Sequence, residues 1–207
     1  MSDIYAPDFI AKIKSNLVIE SITHIIEVGS LNGDDAKFYK LNFPNTEVFA
    51  IEGSPDNFNR YLKNEKEIKT FNHIICNFNG NIDFYIKDQN GINGIFDRGS
   101  KYNGLKITRP CITLDKFCED NNISKIDALK IDVEGATLNV LLGMSNMLSK
   151  TKIMHIETET HSFFKGQSLH TEVVNFLEKN NFNMLQLSKV EILKDQYQCD
   201  SIWLNKL

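Results

Sequence analysis

The chain has 207 residues, with 27 acidic and 23 basic side chains interspersed for a net charge of −4. Its length suits one domain whose core removes about 70% of the unfolded surface from water, and no Lys/Arg block is long enough to follow a phosphate backbone, so nucleic acid is excluded as the expected partner. No run of about 18 apolar residues could span a membrane, and Met1-Ser2-Asp3-Ile4-Tyr5 has neither a basic nor an apolar leader, so a soluble cytoplasmic protein is expected.

Phe9, Ile10, Ile13 and Leu17 recur at helical spacing over 8–18 behind Pro7, predicting an N-terminal helix that covers one edge of a sheet. Residues 22–28 read as a buried strand with His24 a sheet histidine, 34–41 as a helix, 47–51 as a second strand and 55–63 as a second helix opened by its proline. This alternation predicts a parallel sheet. Residues 71–76 form a third strand, which an Asn-Gly turn at 79–80 joins to 81–87 as an antiparallel hairpin, with Ile82, Phe84 and Ile86 alternating. Residues 88–109 hold four glycines and no period; the reading is a substrate-lid loop, with disorder or a hidden short strand as alternatives. Then come a strand at 111–114, a helix at 115–121, a strand at 126–131, a one-sided helix at 138–144 and a strand at 153–158 containing a structural His155. A loop at 159–167, a helix at 169–180 and an edge hairpin of 182–187 with 201–204 close the chain. It reads as one domain, with an N-terminal helix in 1–21 and a core over 22–207. Cys76, Cys111, Cys118 and Cys199 lack CxxC or zinc-knuckle spacing and are read as reduced thiols.

Three stretches carry chemistry. Leu129-Lys130-Ile131-Asp132-Val133-Glu134-Gly135 ends a strand in two carboxylates, aimed either at a ligand crevice or at capping the next helix. Glu27-Val28-Gly29-Ser30-Leu31-Asn32-Gly33 closes the first strand; its glycines allow close backbone approach, and the following helix is expected to present free N–H groups. Leu31 occupies the middle glycine of a dinucleotide fingerprint, which is therefore not met. Glu52 ends the second strand, where a carboxylate can accept hydrogen bonds from both ribose hydroxyls of a nucleoside.

These motifs, with Ile51-Glu52-Gly53-Ser54-Pro55, Thr113-Leu114-Asp115-Lys116-Phe117 and Val140-Leu141-Leu142-Gly143-Met144, resemble the FkbM family of S-adenosylmethionine-dependent methyltransferases. The resemblance implies an α/β, Rossmann-like class I methyltransferase fold, a seven-stranded, mostly parallel sheet ordered 3-2-1-4-5-7-6 with helices on both faces and a small hairpin insertion. It implies that Glu27, Gly29, Ser30 and Gly33 hold the methionine end of the cofactor, that Glu52 beside Gly53 holds its ribose, and that Cys76 and Asn77 lie near its adenine. Asp132 would face the methyl-transfer zone. Family members typically methylate a hydroxyl of a sugar, so a small-molecule or glycan acceptor is implied. Many members carry a carboxylate where this chain has Thr137.

Positioning can supply about 7–11 kcal/mol of such a transfer, and a general base about 10²–10⁴ in rate. His161 is the favoured base, since imidazole titrates near neutrality, with Asp132 and Glu157 as further catalytic candidates and Glu134 and Glu159 behind them. A divalent metal on Asp132 with Glu157 or Glu159 is the less favoured route. Acceptor choice is expected from 88–109 and 159–167, through Phe96, Arg98, Tyr102, Phe163 and Phe164. A nicotinamide-dependent oxidoreductase and a non-catalytic nucleoside-binding module are the competing classes.

Overall fold

The computed structural model describes residues 4–87, 90–97, 99, 104–162, 166–189, 191–193 and 196–206. In chain order its elements are α1 (Ala6–Asn16), β1 (His24–Val28), α2 (Asp34–Asn42), β2 (Glu47–Ile51) and α3 (Pro55–Asn57), which runs into a π-turn at Phe58–Leu62. There follow β3 (Lys69–Phe71), β4 (Ile74–Ile75), β5 (Gly80–Lys87), β6 (Gly104–Ile112), α4 (Leu114–Asp120) and β7 (Ile126–Ile131). The chain closes with α5 (Thr137–Leu142), β8 (Thr151–Glu159), α6 (His170–Lys179), β9 (Phe182–Leu187), β10 (Glu191–Leu193) and β11 (Gln196–Asn205). Among the described residues no helix is long and apolar enough to cross a membrane.

The apolar runs of β1, β2, β7 and β8 are buried on both faces, as parallel strands between helix layers must be. The main sheet runs β3-β2-β1-β7-β8-β11, with β9 and β10 both paired to β11, which alone runs against its neighbours β8, β9 and β10. Reading β7, β8, β9 and β11 as the fourth to seventh core strands, this is the expected 3-2-1-4-5-7-6 order.

One face packs Ile26, Phe49, Leu129, Ile131 and Trp203 against Phe117, Leu141 and Leu177 of α4, α5 and α6. The other packs Ile25, Ala50, Ala128 and Ile153 against Phe9 and Ile13 of α1 and Tyr39 of α2. The N-terminal helix therefore lies over the centre of the sheet rather than along an edge. It buries Ala6, Phe9, Ile10 and Ile13 together, and only a sheet face offers an apolar surface that broad.

The predicted third strand is split. Asn72 leaves the ladder, its amide donating to the Glu52 carbonyl at 2.7 Å and accepting from Arg109 at 2.8 Å, so β3 stays in the main sheet while β4 joins a second, three-stranded one. There β5 pairs antiparallel with β6 over eight residues, from Gly80 opposite Cys111 to Lys87 opposite Gly104. The hairpin thus has a different partner from the one expected, and residues 104–109 of the supposed glycine-rich loop are strand. Pro110 and an outward-facing Leu105 hide its period.

Asp115 of the Thr-Leu-Asp motif accepts from Ser145, Asn146 N–H and Met147 N–H at 2.8–2.9 Å, while Thr113 caps α4, so that motif is a structural clamp. A second clamp sits at the amino ends of the strands. Asp127, fully buried, accepts from Thr23 N–H at 2.7 Å and His24 N–H at 3.2 Å and pairs with Lys152 at 2.8 Å and Lys125 at 3.0 Å. Burial raises its pKa, but the donors from Lys152, Thr23 and Lys125 outweigh it and hold the carboxyl down at about 2.

A carboxyl with a depressed folded-state pKa stabilises above its unfolded value and loses that contribution as pH falls. Asp127→Ala should therefore cost about 2–3 kcal/mol in urea unfolding at neutral pH. The difference from the parent should shrink as pH falls from about 4 towards 2.

Candidate active site

The ends of β2, β1 and β7 are knitted together. Gly29 N–H and Ser30 N–H donate to the Ile51 carbonyl at 2.9 and 3.1 Å, and Asp132 N–H donates to the Val28 carbonyl at 2.9 Å. Gly29, at φ +86°, lies so close to β7 that a Cβ there would overlap the carbonyl oxygen of Asp132. Above this junction opens a cavity lined by Gly29, Leu31, Glu52, Gly53 and Asp132, with Ile74, Ile75, Phe84 and Ile95 as an apolar wall.

Glu52 is 6% exposed, and its two oxygens accept from Leu31 N–H at 2.8 Å and Ser54 N–H at 2.7 Å. Burial pushes its pKa up to about 7 against those hydrogen bonds. Leu31, Ser54 and the Asn57 side chain use three of the roughly four acceptor sites of a carboxylate, so the vicinal diol of a ribose would take the fourth and displace Asn57. The aliphatic and aromatic wall suits a flat base. These residues fit a nucleoside cofactor.

They fit a pyrophosphate poorly. The helix start expected to present free N–H groups has them committed, Asp34 N–H to the Asn32 side chain at 3.2 Å and Ala36 N–H to Glu27 at 3.1 Å. Leu31, at φ +48°, gives its N–H to Glu52. Glu27 is thus a buried helix cap, and neither it nor Gly33 lines the cavity. Ser30 is also off the lining, yet its hydroxyl is buried with no partner among the described residues. Cys76 and Asn77 lie off it too; Cys76 N–H donates to the Ile112 carbonyl at 2.8 Å, and Ile74, Ile75 and Phe84 form the apolar wall instead.

Beside this cavity the α1/α2 face of the sheet turns from apolar to charged. Glu27, Lys130 and His155 stand in register on three adjacent strands. The Lys130 ammonium lies 2.6 Å from Asp35, 3.4 Å from Asp132 and 3.5 Å from Glu27. Burial alone would lower its pKa, but Asp132, Glu27 and Asp35 hold it well above the ordinary range. Burial pushes Glu27 up to about 8, against the attraction of Lys130. His155 bonds through Nε2 to Asp200 at 2.8 Å, under the ring of Phe9.

Asp35, Lys130 and His155 floor a second cavity of about 540 Å³, with Asp132, Glu157, Gln198 and Asp200 among its walls and Tyr5 and Phe38 at its rim. Asp132 lines both cavities. Glu157 accepts from Gln198 at 3.1 Å, and burial, reinforced by Asp132, Glu134, Asp200 and Glu159, raises its pKa well above the carboxylate range. One oxygen each from Glu134, Glu157 and Glu159 lie within 4.8 Å of one another, a set of hard ligands that could take a divalent cation. Neither Asp132 nor Glu134 caps α5, which has no side-chain cap. Thr137, where a carboxylate is common, donates to the Glu157 carbonyl at 2.8 Å.

His161 lines neither cavity. It is exposed, with its ring 4.4 Å from that of Tyr197 and its Nδ1 3.0 Å from the Thr160 hydroxyl. Arg98, Tyr102, Phe163 and Phe164 lie outside the described residues. Lys130, Asp200, Tyr5 and Phe38 also line the second cavity without being singled out by the sequence, in which His155 reads as structural. The in-register polar positions of β1, β7 and β8 were the available signal.

The family description "Methyltransferase FkbM domain" matches residues 27–184. The chain is 25% identical over 160 residues to the 2-O-methyltransferase NoeI of Sinorhizobium fredii, covering 69% of this chain and 66% of that protein. It is 29% identical over 116 residues to the hexuronic acid methyltransferase AglP of Haloferax volcanii, covering 53% of this chain and 46% of that one. The matches thus span less than two thirds of either relative. Among solved structures, M. capricolum TrmK with S-adenosyl-homocysteine aligns at TM-score 0.53 and 14% identity over 96% of this chain and 68% of TrmK. Magnesium protoporphyrin IX methyltransferase of Synechocystis with bound SAM aligns at 0.51 and 10% over 97% of this chain and 78% of that one. Both likenesses concern the fold.

The raised pKa of Glu27 has a testable sign. A carboxyl whose folded-state pKa is raised stabilises below its unfolded value and loses that contribution as pH rises through about 8. Glu27→Gln, which keeps an acceptor for Ala36 N–H, should gain on the parent in thermal unfolding as pH climbs from about 5 to 9. Glu27→Ala, which drops the cap, should lose about 1 kcal/mol or more at every pH.

Proposed function

This chain belongs to the FkbM methyltransferase domain family, and from that premise we propose that it transfers a methyl group from S-adenosylmethionine to a hydroxyl of a sugar. The observation that carries the reading is the buried Glu52 carboxylate, opposite the Gly29 turn and one strand pair from Asp132. Oxygen as the acceptor atom and a sugar as its bearer are supported by the names of the two relatives.

In this reading Glu52 accepts both ribose hydroxyls, Gly29 lets the cofactor lie against bare backbone, and the Ser30 hydroxyl is a spare donor for its amino-acid end. Glu27 and Gly33 act through the shape of the turn, and Ile74, Ile75 and Phe84 take the adenine ahead of Cys76 and Asn77. When bound, S-adenosylmethionine would supply a methyl carbon activated by its positive sulfur, with a neutral thioether as the leaving group to balance the new carbon–oxygen bond. The hydroxyl proton goes to a carboxylate. Glu157 is suited to take it, because burial and its acidic neighbours raise its proton affinity above that of an ordinary carboxylate. Asp132, on the wall between the cavities, orients the hydroxyl, and Lys130 holds Asp132 in place. The base role passes from His161, which touches neither cavity. The three-glutamate cluster is compatible with a cation, but the proton transfer needs none.

Calorimetry with S-adenosylhomocysteine is the primary test. Binding should be clear in the parent and weakened about 100-fold in Glu52→Ala, the loss of two charged hydrogen bonds. In a methyl-transfer assay Glu157→Gln should lower kcat about 10²–10⁴-fold, while His161→Ala and a chelator leave turnover intact. Tight NAD binding without S-adenosylhomocysteine binding would overturn the reading in favour of an oxidoreductase.

A further inference from the structure

Two surfaces of opposite character meet in the second cavity. Its floor is polar, with Glu157 and Asp200 directly paired across β8 and β11 and Gln198 bonded to Glu157. Its rim is aromatic, with Tyr5 62% and Phe38 37% exposed where large apolar side chains are normally covered. A pyranose ring has the same division, a face of C–H bonds bordered by hydroxyls. Aromatic rings supply broad, rigid apolar area for such a face, and carboxylates and amides receive the hydroxyl donors.

Charge narrows the choice. Apart from Glu157, whose proton affinity is raised, the described lining holds four acids, Asp34, Asp35, Asp132 and Asp200, against Lys130 and His155. Both bases are engaged, Lys130 by three carboxylates and His155 by Asp200. A carboxylate or phosphate on the incoming molecule would therefore be desolvated among like charges with no described cation left to pair with it, which is costly.

We propose that this cavity is the acceptor subsite and that it takes a sugar without acidic groups, its C–H face laid on Tyr5 and Phe38 and its hydroxyls held by Glu157, Gln198 and Asp200. The proposal rests on the methyl-transfer reading and deepens it. At about 540 Å³ the cavity has room for a sugar ring and its neighbour. It also moves acceptor selection to the segment ahead of α1 and to α2, away from residues 88–109 and 159–167.

The test is saturation-transfer NMR on the full chain with S-adenosylhomocysteine present, using methyl glucoside, methyl mannoside, glucosamine and glucuronate as probes at low and high salt. At least one of the non-acidic sugars should bind about tenfold tighter than glucuronate at low salt, the gap closing as salt rises. Tyr5→Ala and Phe38→Ala should each weaken that sugar about tenfold, Tyr5→Phe should restore it, and S-adenosylhomocysteine affinity should stay at the parent value. Glucuronate binding as tightly as the others, silence of the whole panel, or indifference to both alanine variants would overturn the proposal. Absence of S-adenosylhomocysteine binding would instead sink the methyl-transfer reading, and the panel read on the free protein would still decide whether the cavity takes such sugars.

Discussion

The carboxyl ends of the strands are organised around one buried ammonium. Lys130 is 12% exposed, and a cation so placed persists only with close opposite charge; Asp35, Asp132 and Glu27 supply it from α2, β7 and β1. Three full negative charges about one positive would leave the cluster in excess. The raised pKa of Glu27, the most distant of the three, relieves that excess by keeping its proton near neutrality, while it still accepts the Ala36 N–H that starts α2. The cluster therefore fixes the helix, the glycine turn beneath it and the side chain of Asp132 at once.

From this anchoring follows the relation between the two cavities. Asp132 belongs to both, so whatever occupies one meets the other across a single carboxylate whose position Lys130 restrains. The Gly29 backbone, packed against the Asp132 carbonyl, keeps the partition thin. A reaction that joins a nucleoside-borne group to a second molecule needs this arrangement, since reacting atoms must approach within about 3–3.5 Å.

The fold was legible because β1, β2, β7 and β8 are apolar on both faces and separated by helical spacings, a pattern only a covered parallel sheet satisfies. It failed where one residue overrode a local pattern: the polar side chain of Asn72 splits the third strand, and Pro110, without an N–H for a ladder, conceals β6. Of the cavity-lining groups, Glu52, Gly29, Gly53 and Asp132 are legible because each lies where a strand ends. Lys130, His155 and Asp200 are not, because each sits inside a strand and gains its meaning only from register with a neighbour far along the chain, parallel for Lys130 and His155 and antiparallel for Asp200. His161 is the converse case, a side chain whose chemistry suits a base but which lines neither cavity.

The Asp127 clamp lies at the opposite ends of the same strands, where Thr23, His24, Lys125 and Lys152 converge on it. The strands are thus fastened at one end and work at the other, with an apolar length between. Strain taken on by the crevice, such as buried acids pressed together, can be offset by robustness held at a distance. Such a sheet gives the crevice latitude to drift towards new acceptors without endangering the fold that carries it.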